Sequence, residues 1–278
     1  MKFIFFGYDY SLNIVERLIA DRHSLLGVFT FPCDSMFTFN EQLKALAQDM
    51  DIPVTESQVT TADVMRFQDQ GANVFIAAGY PYKIPPIDEA RAYALNVHPA
   101  LLPKGRGIMP LPSILMHAPD AAGVSVHKMT DVFDDGDILL QEALPIDHTT
   151  DVEILSARIS MRSPEMVSVI LQDMPRYWRD AKPQDRAQSS YFPPPDEALR
   201  TLDWMAGVED LNLKSCAFGR FGVLAHIQGQ SFVVFNFKGW KEAHNNAPGD
   251  VLLSSPREIV VAVKDGYVCL KEFQPLGP

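Results

Sequence analysis

The first third of the chain alternates short apolar runs, which are typical of strands, with amphipathic stretches, which are typical of helices. The three strand and helix pairs are Phe3–Gly7 with Leu12–Ala20, Leu26–Phe31 with Glu41–Gln48, and Val74–Ala78 with Ile87–Tyr93. Because strands joined through helices pair in parallel, this order predicts an α/β fold with a doubly wound, mostly parallel sheet. Ligands of such a sheet bind at the carboxyl ends of its strands.

The pattern changes further along the chain. A helical pattern runs from Ile154 to Leu171, and Pro164 is expected to kink or divide that helix. The run 175–195 is polar and rich in proline, as in a connector. We therefore predict a catalytic domain over residues 1–175, a linker over 176–203 and a small domain over 204–278.

Short strands separated by turn residues dominate the predicted small domain. The five strand-like runs are Gly222–Ile227, Phe232–Lys238, Gly249–Leu253, Ile259–Ala262 and Tyr267–Phe273. Five short strands suit a small β-barrel of the oligonucleotide-binding type.

Polar side chains cluster at two points that the predicted sheet brings to one edge. Asn96 and His98 lie two residues apart, directly before the Pro99 to Gly107 loop, and Asp134 opens an acidic turn after the strand-like run 123–127. Acyl transfer to an amine needs hydrogen-bond donors for an oxyanion and a group that moves protons. An amide, an imidazole and a carboxylate supply both without a covalent nucleophile.

Each of these residues, taken alone, also fits a structural role. Asn96 can form a turn, His98 can be a loop histidine with satisfied hydrogen bonds, and Asp134 can cap a turn. His127 lies on an alternating strand, where a structural or solvent-facing role is commoner, so we leave it out of the predicted catalytic set.

The motif Asn-x-His-Pro-x-Leu-Leu-Pro at 96–103, followed by Arg106-Gly107, Pro110 and Asp-x-Gly-Asp-Ile at 134–138, resembles the folate-dependent formyltransferase family. That family includes methionyl-tRNA formyltransferase, glycinamide ribonucleotide transformylase and the amino-sugar formyltransferases. Ala100 departs from the pattern, because many relatives have serine there. The tail also resembles the carboxyl-terminal domain of the transfer-RNA formyltransferases, at Asp203-Trp204 and two later turns.

The resemblance implies an N-formyltransferase that uses 10-formyltetrahydrofolate as co-substrate. It implies that Asn96, His98 and Asp134 are catalytic, with a protonated His98 whose pKa is raised beside Asp134. It implies a folate pocket bordered by residues 80–85 and 131–137, from which we predict five cofactor-binding residues: Tyr80, Tyr82, Ile84, Asp131 and Asp137. Arg106 and Gly107 are predicted to bind substrate, although Arg106 is also consistent with a surface charge.

Composition limits the class of protein further. No apolar run reaches membrane-spanning length, and Met1–Gly7 is too short for a secretory signal. The three cysteines, Cys33, Cys216 and Cys269, form no CxxC pair, so they indicate neither a disulfide framework nor a metal site. We therefore predict a cytoplasmic enzyme without a metal, and a homodimer is possible through an apolar face of the barrel.

Charge bears on the acceptor. The chain has 24 basic and 35 acidic residues, a net charge of −11, whereas affinity for a transfer RNA comes largely from lysine and arginine. The loop Phe31–Asn40 contains no basic residue, where the transfer-RNA enzymes of the family carry a basic insertion. These features favour a small amine, either a nucleotide-linked amino sugar or an N-hydroxyornithine, and make nucleic acid unlikely. Methionyl-tRNA as acceptor and hydrolysis of formyltetrahydrofolate stay open as alternatives.

Overall fold

The computed structural model describes residues 1–33 and 39–277, which divide into two compact units. The first unit comprises residues 1–108, 121–144 and 157–192. The second comprises residues 109–120, 145–156 and those from Pro193 onward. Each unit contains one β-sheet. Among the described residues, no helix combines the length and apolar character needed to cross a membrane.

A seven-stranded sheet forms the centre of the first unit, in the order β3-β2-β1-β4-β5-β6-β7. Its strands are β1 (Lys2–Gly7), β2 (Ser24–Phe29), β3 (Val54–Thr55), β4 (Val74–Ala78), β5 (Tyr93–His98), β6 (Gly123–Lys128) and β7 (Ile138–Ala143). Strands β1 to β5 pair in parallel, and β6 runs antiparallel to both of its neighbours. The predicted mostly parallel sheet is confirmed. The β1 and β4 strands are buried along nearly their whole length, which explains their continuous apolar sequence.

Eight α-helices accompany the two sheets in the described part of the chain. They are α1 (Leu12–Ala20), α2 (Glu41–Asp49), α3 (Thr61–Asp69), α4 (Pro110–His117), α5 (Val152–Gln172), α6 (Met174–Arg179), α7 (Glu197–Arg200) and α8 (Val208–Phe218). The predicted bounds of α1 are confirmed, and α2 ends one residue later than predicted. Helix α3 is not among the predicted helices, although Thr60 and Asp63 form a capping box at its start.

The predicted helix at Ile87–Tyr93 is wrong. Residues 88–92 form a single turn, in which the main-chain N–H groups of Arg91 and Ala92 donate to the Asp88 carbonyl. Tyr93 instead begins β5, where it pairs with Val74. The helical pattern is overridden at Tyr93, because the main chain from Tyr93 to Asn96 pairs with the buried β4 strand.

Pro164 does not divide α5, which is one helix from Val152 to Gln172. A proline lacks the N–H that would bond the carbonyl four residues earlier, here that of Ser160. Asn13 Nδ2 donates to this Ser160 carbonyl at 2.5 Å and to Ser160 Oγ at 2.9 Å. A side chain of α1 therefore replaces the hydrogen bond that the proline removes.

The second unit contains a five-stranded antiparallel sheet in the order β10-β11-β12-β9-β8. Its strands are β8 (Val223–Ile227), β9 (Gln230–Lys241), β10 (Val251–Ser254), β11 (Ile259–Val263) and β12 (Gly266–Pro275). All five predicted strands are present, with β9 longer than expected. Alternate side chains of β8 and β9 are buried, as expected for a sheet with one covered face. Helix α8 packs on β9, where the Asn212 amide both donates to and accepts from the main chain of Gly239.

Candidate active site

The carboxyl end of β5 carries two polar side chains on one face of the sheet. Asn96 pairs across the strands with His127 of β6, and His98 pairs with Ser125. Because side chains alternate along a strand, all four project from the same face. Three of them, His98, Ser125 and His127, are buried. The edge predicted from the sequence therefore holds a polar cluster next to the apolar core.

Ser125 shapes the loop that follows β5. Its hydroxyl donates to the Ala100 carbonyl at 2.6 Å and accepts from the Leu102 N–H at 3.0 Å. Gln141 of β7 supports the same turn by donating to the Leu102 carbonyl at 2.6 Å. This bonding bends the loop back along the sheet edge.

The imidazole of His98 is fixed on both sides. Its Nε2 lies 2.7 Å from the Gly105 carbonyl, and its Nδ1 lies 3.4 Å from Asp134 Oδ1. A carbonyl can only accept, so Nε2 carries a proton in this arrangement. In the neutral ring Nδ1 is then the free basic nitrogen, and it faces the carboxylate.

Asp134 occupies a left-handed backbone position, with φ of 57°. Its Oδ2 accepts from the Gly107 N–H at 2.9 Å, while Oδ1 lies 3.5 Å from Asn96 Nδ2. The Asp134 residue as a whole is only 8% exposed. The structure therefore brings together all three side chains predicted to be catalytic.

Burial and charge act in opposite directions on the two ionisable groups. Burial lowers the pKa of His98, and the nearby Asp134 carboxylate and Gly105 carbonyl offset this only in part. Burial raises the pKa of Asp134, but the nearby His98 ring and the Gly107 N–H outweigh burial, and the pKa is about 2. The expected rise in the His98 pKa is wrong, because desolvation of the buried ring outweighs the single carboxylate. At neutral pH the pair is a neutral imidazole beside an ionised carboxylate.

His127, omitted from the predicted catalytic set, contacts the site directly. Its Nδ1 lies 2.8 Å from the Lys128 carbonyl, and its Nε2 lies 3.0 Å from Asn96 Nδ2. The first bond places the proton on Nδ1, so Nε2 accepts from the amide and fixes which way Asn96 points. Its position opposite Asn96 in the β5–β6 pairing is the signal that would have found it.

Arg106 and Gly107, predicted to bind substrate, are both engaged within the protein. Arg106 Nη1 lies 2.7 Å from Asp135 Oδ1, and its Nε and Nη2 donate to Gln184 Oε1. The Arg106 side chain is 12% exposed. Gly107 contributes its main-chain N–H to Asp134. In this structure the two residues hold the site together, and their binding of substrate stays a prediction.

Of the five residues predicted to bind cofactor, the three from 80 to 84 belong to or pack on an apolar cluster of the same unit, and the two aspartates lie in ion pairs. Tyr80 is buried, and its hydroxyl donates to the Ser57 carbonyl and accepts from the Val59 N–H. Tyr82 and Ile84 are half-buried against the same core cluster. Asp131 and Asp137 are paired with lysines, at 3.9 Å from Lys83 Nζ and 3.5 Å from Lys128 Nζ respectively.

Comparison with known proteins identifies this arrangement. The formyl transferase model matches residues 40–171, and the model of the formyl transferase C-terminal domain matches residues 196–277. The chain belongs to the formyl transferase family. The first match spans Asn96, His98 and Asp134, and the second spans the five-stranded sheet.

Formyltransferases of known sequence and structure resemble it along its length. A methionyl-tRNA formyltransferase of Streptococcus sanguinis is 28% identical over 100% of this chain and 92% of its own. An N-formyltransferase from Helicobacter canadensis, solved in complex with folinic acid and dTDP-3-aminofucose, has a TM-score of 0.64 at 15% identity and covers 98% and 99% of the two chains.

The third comparison is with HypX from Aquifex aeolicus, solved in complex with tetrahydrofolic acid. Its TM-score is 0.69 at 18% identity, over 100% of this chain. This chain spans only 44% of the length of HypX. At these identities the solved structures establish the fold, and the family match establishes a formyltransferase that uses formyl-tetrahydrofolate.

Proposed function

We propose that this formyltransferase moves the formyl group of 10-formyltetrahydrofolate to an amine of a small molecule. A nucleotide-linked amino sugar is the first choice of acceptor, and an N-hydroxyornithine is the second. The observation that carries this choice is the charge of the chain, because 24 basic residues face 35 acidic ones. Polyanion binding draws most of its affinity from unpaired lysine and arginine.

Ion pairs reduce the basic charge that is available to a polyanion still further. At least twelve of the 24 lysines and arginines pair with a carboxylate: Arg17, Lys44, Arg66, Lys83, Arg91, Arg106, Lys128, Arg162, Arg176, Arg179, Arg186 and Lys241. The loop Phe31–Asn40 adds no basic residue, although residues 34–38 lie outside the described part of the chain. Both observations support a small acceptor.

Methionyl-tRNA, a macromolecular acceptor, is the alternative to these two small amines. It is favoured by one observation, the 28% identity to the Streptococcus sanguinis methionyl-tRNA formyltransferase over nearly the whole of both chains. The structurally similar N-formyltransferase from Helicobacter canadensis favours the small acceptor instead, because its structure was solved with dTDP-3-aminofucose. We place the amino sugar first because the charge of this chain agrees with it.

Two neighbouring segments fit the pterin of the co-substrate. Within residues 1–33 and 39–277, no hydrogen bond reaches the main-chain N–H of Tyr82 or Ile84, so both can donate to a heterocycle. Their half-buried side chains offer apolar contact. The Lys83–Asp131 ion pair, at 3.9 Å, places the start of the segment 131–137 next to Lys83. Tyr80 would act through its main chain only, since its hydroxyl is already bonded.

The catalytic roles follow from the hydrogen bonds. Asn96 Nδ2, fixed by His127, would donate to the oxyanion that forms at the formyl carbon. His98 starts neutral, so its Nδ1 would accept the proton that the attacking amine loses. Ionised Asp134, 3.4 Å away, would stabilise the resulting imidazolium.

The reaction balances in atoms and charge. The bond between the formyl carbon and the folate nitrogen breaks, and an amide bond forms to the acceptor nitrogen. One proton leaves the amine and one reaches the folate nitrogen, and the His98 ring would carry it between them. The co-substrate supplies the activated formyl group.

The deciding experiment is mass-spectrometric detection of formyl transfer from 10-formyltetrahydrofolate to a mixed panel. The panel contains nucleotide-linked amino sugars, N-hydroxyornithine, glycinamide ribonucleotide and methionyl-tRNA. One small product that gains a formyl group, and that is absent with His98→Ala, supports the proposal. Formylated methionyl-tRNA alone would overturn the acceptor assignment, and free formate without any product would favour the hydrolase.

The cytoplasmic location and the homodimer remain predictions made from the sequence. The three cysteines are unpaired thiols in the structure, which is consistent with a reducing cytoplasm. A homodimer through the five-stranded sheet would show as a doubled mass in light scattering, and a monomeric mass would argue against it.

A further inference from the structure

Gln184 spans the two loops that carry the candidate active site. It lies after α6, outside both sheets, in a run whose composition is that of a connector. Its Nε2 donates to the carbonyls of Asp134 at 2.8 Å and Gly136 at 2.7 Å. Its Oε1 accepts from Arg106 Nε at 3.2 Å and Nη2 at 2.7 Å. Both donors and both acceptor sites of the amide are therefore used.

The residues that follow bind the same loop through the main chain. Ser190 accepts from the Gly105 N–H at its hydroxyl and from the Arg106 N–H at its carbonyl, each at 2.9 Å. Phe192 N–H donates to the Arg106 carbonyl at 2.8 Å. Residues 190–192 thus run alongside the loop 103–107 and form an isolated parallel β-bridge between Tyr191 and Arg106.

These loops provide the groups that orient His98 and Asp134. The Gly105 carbonyl accepts from His98 Nε2, and the Gly107 N–H donates to Asp134 Oδ2. Asp134 itself has a left-handed backbone, which is uncommon for a residue other than glycine, so its loop needs outside support. Gln184 supplies that support at the Asp134 carbonyl.

We propose that Gln184 is a positioning residue, which fixes the loops 103–107 and 134–136 in the register where Gly105 orients His98 and Gly107 orients Asp134. It acts through these groups and touches no reacting atom. The inference rests on the proposed roles of His98 and Asp134.

If Gln184 only stabilised the fold, its replacement would give a different result. The unfolding temperature would fall, but the environment of His98 would stay unchanged. Loss of a positioning residue loosens the Gly105 and Gly107 contacts and admits water to the ring. Since burial is what lowers the His98 pKa, hydration moves that pKa upward, towards its ordinary value.

The test compares Gln184→Met with Gln188→Met in the full chain. Methionine has a similar length and removes all four hydrogen bonds, whereas the exposed Gln188 donates only to Asp185. The first readout is the NMR titration of the His98 ring, assigned with His98→Ala. The second is kcat and KM for 10-formyltetrahydrofolate with whichever acceptor the panel identifies.

We expect Gln184→Met to raise the His98 titration midpoint and to lower kcat about tenfold or more, because small displacements of catalytic groups slow turnover steeply. KM for 10-formyltetrahydrofolate should stay within about threefold, because ground-state binding is not removed. Gln188→Met should change neither quantity. An unchanged midpoint and an unchanged kcat in Gln184→Met would overturn the proposal, even if the unfolding temperature falls.

A second variant covers the case in which Gln184→Met does not fold. Gln184→Asn stays uncharged but is one methylene shorter, so its amide cannot bridge Arg106 and the loop 134–136, and we expect the same upward shift of the titration midpoint. An unmoved midpoint in this variant overturns the inference. The proposed function fails separately, if His98→Ala and Asp134→Asn keep normal turnover.

Discussion

Nδ1 of His98 lies 3.4 Å from Oδ1 of Asp134, and both side chains are buried within the first unit. The two groups are held from opposite sides, because Gly105 binds the far nitrogen of the ring and Gly107 binds the far oxygen of the carboxylate. Such a pair keeps its geometry while the proton moves. It also makes each partner's ionisation depend on the other.

Replacing Asp134 tests its proposed role with little change of shape. Asparagine tolerates the left-handed backbone of this position, so Asp134→Asn removes the charge and keeps the loop. Turnover should fall about a hundredfold or more, because the imidazolium loses its stabilising charge. The matched control is Asp51→Asn at another left-handed position, exposed and outside the site, which should keep normal turnover. Near-normal turnover of Asp134→Asn would refute the assignment.

The pH dependence of turnover tests the protonation state of His98. Burial lowers the pKa of this imidazole, and the free enzyme needs it neutral, so the acidic limb of kcat/KM should lie below pH 6.5. Removing the Asp134 charge takes away a contribution that raises the pKa, so Asp134→Asn should move the limb lower still. An acidic limb above pH 6.5 in the wild-type enzyme would show that Asp134 outweighs burial and raises the His98 pKa. Activity that instead falls as the pH rises through the His98 pKa would show that the protonated ring is the active form.

Stability should fall as the solution is acidified. The folded-state pKa values of His98 and Asp134 are both lower than those of the unfolded chain, so the unfolded state binds more protons at low pH. The His98 contribution is complete above pH 6.5 and is lost as pH falls through its folded pKa. The Asp134 contribution is lost between pH 3.8 and about 2. Urea unfolding at pH 7.5, 5.5 and 4 should show a falling free energy of unfolding, whereas in His98→Ala the loss near pH 6 should be smaller.

His127 should matter because it orients the Asn96 amide. His127→Leu removes the acceptor at 3.0 Å, and losing one such hydrogen bond, worth about 1 kcal/mol, should slow turnover by about tenfold or less. His127→Gln keeps an acceptor and should recover part of the rate. The control His226→Leu removes an exposed histidine of the second unit, and its turnover should be unchanged. Normal turnover of His127→Leu would show that Asn96 needs no such support.

The site requires glycine at position 107, because of both its backbone conformation and the lack of space for a side chain. Its φ is 116°, and a Cβ there would collide with the Phe192 carbonyl. Gly107→Ala should therefore displace residues 190–192 or the loop, lower the melting temperature and slow turnover. Gly229→Ala is the matched control, because Gly229 also has a positive φ, 82°, but its Cβ would meet open space. That control should lose about 1–2 kcal/mol of stability and no activity. Equal effects of both substitutions would show that only backbone conformation matters at Gly107.

The sequence alone predicts a mostly parallel sheet followed by a small domain of short strands. Its resemblance to the formyltransferases further names a candidate catalytic trio, Asn96, His98 and Asp134. Buried strands such as β4 have continuous apolar sequences, and the short strands of the second sheet are separated by turn residues. Both patterns can be recognised within a few consecutive residues. Asn96 and His98 share a face because they are two residues apart on a strand, which is also a local fact. The predicted helix at Ile87–Tyr93 is wrong because residues 88–92 form only one turn and Tyr93 pairs with β4, which is a contact between distant parts of the chain.

Only the tertiary structure decided the chemistry of the trio and its support. The direction in which the His98 pKa shifts depends on how deeply the ring is buried. No neighbouring residue in the sequence reveals that depth. Arg106 is engaged by Asp135 and Gln184, and Gln184 comes from a run that reads as a connector. Gln184 lies 78 positions from Arg106 and 50 from Asp134 along the chain, so only the folded chain brings them together. Burial and long-range contacts are properties of the folded chain, and they set the protonation state and the rigidity on which the proposed reaction depends.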